Sequence, residues 1–172
     1  MFILARARAR SLAVSLVYAD PHRDYRAAHW RNGVILIWTG QVTVDALRGI
    51  DGFGQELVPE HPRYYTVSVN PNGLPFPDSE TRTFAGKLVK SREHNVLIAI
   101  TVLEGTGLFA VAGRAVLKAI FALSGGRAKN VVCRDLREAA RELAPLVLPK
   151  ATEAEVFAAL DDVRTDAMKP VR

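Results

Sequence analysis

The sequence predicts one α/β domain: a mixed, mainly parallel five-stranded sheet with an opening antiparallel hairpin, helices packed on the sheet, and an extra C-terminal helix. Three observations carry this reading. From residue 44 onward, short strand-like apolar runs alternate with longer stretches of helical period, and strands separated by helices make parallel crossovers. Asn32-Gly33 stands between two strand-like runs, a residue pair suited to a tight antiparallel turn. The chain has 172 residues, 49% of them hydrophobic, enough for a single domain with a sizeable core.

In chain order, Tyr25–Arg31 and Val34–Thr39 form the hairpin, with the positive φ angles placed on Asn32 and Gly33. Val34–Trp38 is apolar throughout and reads as a central strand covered on both faces. Thr43 caps a helix over 44–58, which Gly49, Gly52 and Gly54 should shorten or bend. Tyr64–Val69 is a strand. The loop Asn70–Pro77 is stiffened by three prolines, and Asp78 or Ser79 caps a helix to about Glu93 with Phe84, Ala85, Leu88 and Val89 turned inward.

Val96–Val102 is the next strand, Gly107–Ser124 a third helix ended by Gly125-Gly126, and Asn130–Arg134 a short last strand. Asp135, with Glu138 three residues on, caps a helix closed by Pro145 and Pro149. Thr152-x-x-Glu155 opens the terminal helix. We expect Ile35, Ile37, Leu97, Ala99, Val131 and Val132 to be buried in the sheet.

Composition narrows the function. Lys and Arg number 23 against 18 acids, but Arg6, Arg8 and Arg10 fall within the first ten residues, leaving 20 against 18 elsewhere. That is a basic arm rather than a basic face, so nucleic acid is not the expected partner. Residues 1–19 have the outline of a secretory signal, yet Phe2, Ile3 and Leu4 precede the arginines and serines interrupt the apolar run. We read a basic arm over 1–23, a domain over 24–148 and a helix and tail over 149–172. Cytoplasm is the expected compartment, where a reduced Cys133 fits.

Trp30–Gly40 and Val131–Ala140 resemble the STAS domain (sulfate transporter and anti-sigma factor antagonist), closest to its bacterial SpoIIAA-like branch, over roughly residues 24–148. The first segment is similar to the family's strand ending in Gly before its first helix. The second is similar to its short last strand followed by an Asp-x-x-x-Ala helix. The resemblance implies a non-enzymatic regulatory module acting through protein contacts. Phosphorylatable members carry Asp-Ser-[Ser/Thr]-Gly at the start of the second helix. Here Asp78 and Ser79 match, making Ser79 the implied phosphorylation site, while Glu80 and Thr81 depart.

The residues themselves offer little chemistry. His22, His29, His61 and His94 lack metal-pair spacing, Cys133 reads as a buried thiol, and Gly105-Thr-Gly107 lacks the third glycine of a phosphate cradle. No enzyme, cofactor or metal is expected. Partner contact is expected at Asn72, Phe76, Asp78 and Ser79, beyond the carboxyl ends of the parallel strands.

The stretch 108–123 is too short and too charged to span a bilayer, with Arg114 and Lys118 marking its exposed stripe. Val111, Ala115, Ile120 and Phe121 exceed one packed face, which predicts a homodimer contact. The alternative function is carriage of a small apolar or lipid-like ligand beneath this third helix.

Overall fold

The computed structural model describes residues 15–71, 73–75, 77–108, 110–115, 117 and 129–169. Its elements are β1 (Leu16–Tyr18), β2 (Tyr25–Trp30), β3 (Gly33–Trp38), α1 (Val44–Gln55), β4 (Tyr64–Asn70), α2 (Ser79–Arg92) and β5 (Val96–Leu103). A helix over 110–115 (α3) follows, then β6 (Lys129–Cys133), α4 (Leu136–Leu143), a 3-10 turn at Ala144–Leu146, and α5 (Glu153–Ala167). The strands lie in chain order in one sheet, β1 to β3 antiparallel and β3 to β6 parallel.

The sheet has six strands, not five. The extra one is β1, whose Leu16, Val17 and Tyr18 pair with Trp30, His29 and Ala28. Three residues carry too little periodicity to read as a strand, and β1 exists because β2 offers it an open edge.

The capping residues act as their chemistry requires. Thr43 accepts from the Ala46 amide, Asp78 from Thr81 and Asp135 from Glu138, while Thr152 and Glu155 form a reciprocal capping box.

The hairpin turn departs from expectation. The positive φ falls on Arg31 (53°), and Gly33 already belongs to β3, paired with Trp30. Gly33 is required for space: a Cβ there would overlap the Tyr65 ring. Tyr65 is fully buried and donates its hydroxyl to the Trp30 carbonyl at 2.8 Å. Asn32 is buried as well. Its amide donates to the Leu146 carbonyl (3.2 Å), and its Oδ1 accepts from the Leu148 amide (2.7 Å). Arg31 adds bonds to the Pro149 and Lys150 carbonyls and to Glu155. The hairpin tip is thus stapled to the connection between α4 and α5.

The two faces of the sheet are filled differently. On one, Ile35, Ile37, Val67, Val69, Ile98, Ile100 and Val102 pack against α4 and α5, which contribute Leu136, Leu143, Val156, Leu160 and Val163. On the other, Val34, Leu36, Trp38, Tyr64 and Val96 meet Ala46, Phe53 and Leu57. α5 lies against β2 and β3, whereas the main close approach of α1 and α2 is to each other.

Several burial expectations are corrected. Ile35, Ile37 and Val132 are buried, but Leu97, Ala99 and Val131 are only half-buried and Val89 is exposed. α2 buries Thr81 alone. Arg114 is not part of an exposed stripe. It is half-buried and donates to the Leu103 and Gly105 carbonyls, closing the end of β5. Lys118, Ile120 and Phe121 lie outside the described residues.

Gly33→Ala should therefore destabilise the fold by about 1–3 kcal/mol, because the Tyr65 ring must move and weaken its bond to Trp30. Urea denaturation measures it, and an unchanged midpoint would contradict this account of the turn.

Candidate functional site

Among the described residues, the α1–α2 side of the sheet holds a cleft of about 240 Å³, partly open to solvent. Its floor follows from the strand period of two. Tyr65, Val67 and Val69 point to the filled face, so Thr66 and Ser68 point to the other, as do Ala99 and Thr101 between Ile98, Ile100 and Val102. Val34, Leu36 and Trp38 of β3 complete one side of the floor, and Asn130 of β6 stands at the other.

The roof is Leu47 and Ile50 of α1 with Leu88 and Val89 of α2. Four floor positions beneath this roof are Thr, Ser, Ala and Thr, too small to reach the helices above them. Among the described residues, a partly open cleft is the result.

Charge is confined to one rim. Asp51 of α1 and Arg92 of α2 form a two-pronged ion pair, with both N–O distances 2.8 Å, tying the C-terminal halves of the helices together. This bond raises the Arg92 pKa from its ordinary value. Tyr64 stands beside the pair, its phenol pushed up chiefly by burial and then by the Asp51 charge. Toward the carboxyl ends of the strands, the Trp38 indole N–H donates to the Ser68 hydroxyl at 3.0 Å.

The residues expected at the partner surface are placed as follows. Asn72 and Phe76 lie outside the described residues. Asp78 is exposed and caps α2, accepting from the Thr81 amide at 2.7 Å, and the Thr81 bonds hold its carboxyl below the usual range. Ser79 is exposed as the first residue of α2, with its carbonyl accepting from the Thr83 hydroxyl. Neither touches the cavity, although both begin the helix that roofs it. Val111 and Ala115 are exposed and Cys133 is buried. Asp78→Ala should lower the melting temperature through the lost cap, while Ser79→Ala should leave it nearly unchanged. Thermal melts of the two variants test that division.

A second depression, of about 610 Å³, lies at the hairpin end, lined among others by His29, Arg31, Glu56, Glu60, His61 and Glu155. His29 stacks on Phe53 (3.7 Å between centroids) with Nε2 at 2.8 Å from the Phe53 carbonyl. Among the described residues no group of His, Cys, Asp and Glu is arranged to hold a metal.

Burial lowers the His29 pKa, outweighing the carbonyl bond and Glu56. The unfolded chain therefore takes up this proton first as pH falls below about 6.5, and stability must decline as pH drops toward the depressed folded value. His29→Gln should flatten the stability profile as pH falls below about 6.5, measured by urea titration at each pH. A profile identical to the parent's would remove His29 as its source.

Ala99, Thr66, Ser68 and Thr101 form the floor of this cleft, and the sequence reading did not single them out as a site. Their signal was present in the alternation Tyr65-Thr-Val-Ser-Val69 and Ile98-Ala-Ile-Thr-Val102, where large and small side chains take turns. No family model matches the chain, and no match was found among curated proteins. No described helix is long and apolar enough to cross a membrane.

Proposed function

We propose that this chain is a carrier or peripheral binder of a small apolar ligand, held between the sheet and helices α1 and α2. One observation carries the reading: an apolar cavity of about 240 Å³ over the middle of an otherwise well-packed sheet. The cleft is partly open to solvent, and a ligand seated in it would take its apolar lining out of water. The volume suits a substituted ring or a medium-length alkyl chain. It lies beneath α1 and α2, whereas the sequence reading looked beneath the third helix.

A second reading, regulation through protein contacts in the manner of STAS antagonists, is supported by the exposed Asp78-Ser79 pair opening α2. In that reading the partner would meet the 70–79 loop and a phosphate on Ser79 would control it. The cavity is the better-supported site because its volume needs an explanation, whereas Asp78 is fully explained as a cap.

Ala99→Phe fills the cavity floor without touching the Asp51–Arg92 pair. Octanol should bind the parent protein, and this variant should bind it at least about tenfold more weakly while remaining folded, since the added ring occupies the ligand's space. Heteronuclear NMR titration reads the binding and circular dichroism the fold. Equal affinity in both proteins would overturn the cavity reading.

A further inference from the structure

The cavity carries a pattern that defines its occupant, and the inference rests on the carrier reading above. Two of its hydroxyls stand side by side. Ser68 and Thr101 are direct register partners on β4 and β5, both facing the roof. Ser68 Oγ accepts the Trp38 indole N–H, which leaves the Ser68 O–H to be donated. The Thr101 hydroxyl has no hydrogen-bond partner among the described residues. Two hydroxyls on neighbouring strands thus form one polar pole toward the carboxyl ends of the strands.

Four residues back along β4, roughly 13 Å at strand spacing, the far end holds Tyr64 beside the Asp51–Arg92 pair together with Val34, Val96 and Leu88, and Thr66 and Asn130 stand between the two ends. Only Asp51 and Arg92 bring charge to the lining described, and each satisfies the other in the bonds reported above. A carboxylate or ammonium head would enter without an available counter-charge and would lose its hydration unrepaid.

We propose that the occupant is an uncharged amphiphile, an alcohol or carbonyl compound. Its oxygen lies between Ser68 and Thr101, and its alkyl or aryl body runs toward Val96 and Leu88. The head accepts from the Ser68 hydroxyl, and an alcohol can also donate to Thr101.

The test uses three probes of matched tail: octanol, octyl chloride and octanoate at pH 8, titrated by heteronuclear NMR with the Trp38 indole N–H as reporter. Thr101→Val keeps the shape and removes the hydroxyl. Ser68→Ala removes the other half of the pole and the Trp38 acceptor. In either variant, the octanol affinity relative to octyl chloride should fall about 3–10-fold, the value of one hydrogen bond. Octanoate should bind the parent at least about tenfold more weakly than octanol, and octanol should move the Trp38 indole signal.

An unchanged octanol to octyl chloride ratio in both variants overturns the head assignment. So does octanoate binding as tightly as octanol. In those cases the carrier reading survives if Ala99→Phe still abolishes probe binding. Failure of all three probes to bind the parent would remove both.

Discussion

The period of two along β4 and β5 governs this molecule. It puts Val67, Val69, Ile98, Ile100 and Val102 on one side and Thr66, Ser68, Ala99 and Thr101 on the other. Large β-branched side chains let α4 and α5 settle onto the first face at full packing density. Small side chains on the second leave α1 and α2 with nothing to close on in the middle, so those helices rest on the rims and on each other. The cavity is therefore encoded in two five-residue stretches of alternating size.

The filled face is also the anchored one. Tyr65 spans from β4 to the Trp30 carbonyl, passing over a position that only glycine leaves open, and Asn32 ties the same hairpin to the chain between α4 and α5. These bonds are buried or partly buried, where breaking one leaves a polar group unsatisfied. They set the C-terminal helices in fixed register against the hairpin. Binding on the opposite face can then take place without disturbing the principal core.

Much of the architecture was legible in the sequence. The four caps at Thr43, Asp78, Asp135 and Thr152 mark helix starts because an oxygen-bearing side chain is needed where free amides begin. What was not legible depended on distant partners. β1 is a strand only because β2 has an edge to offer. The turn at Arg31 is set by Asn32 being drawn inward to Leu146 and Leu148, over a hundred residues away in sequence. Arg114 reads as a surface cation on a helix until the exposed carbonyls at the end of β5 are placed beside it. The uncharged run Val96–Val102 was read as buried on both faces, which treats Ala99 and Thr101 as equivalent to Ile98 and Ile100. Hydrophobicity treats them alike, whereas side-chain volume separates them. The site lay in that difference.

The roof of the cavity is also the least anchored element around it. α5 buries Val156, Ala159, Leu160, Val163 and Ala167, whereas α2 buries Thr81 alone and is held mainly at its ends. At one end Asp78 caps it; at the other Arg92 grips Asp51, with Arg48 of α1 lying over Phe84 between them. Local opening free energy follows buried apolar contact, so α2 lifts from the sheet far more readily than α4 or α5. A ligand held in the proposed site would lie beneath α2 and add apolar contact to its inner face. Asp78 and Ser79 begin that same helix. The two functional readings therefore share α2, one at its first turn and the other beneath its last turns.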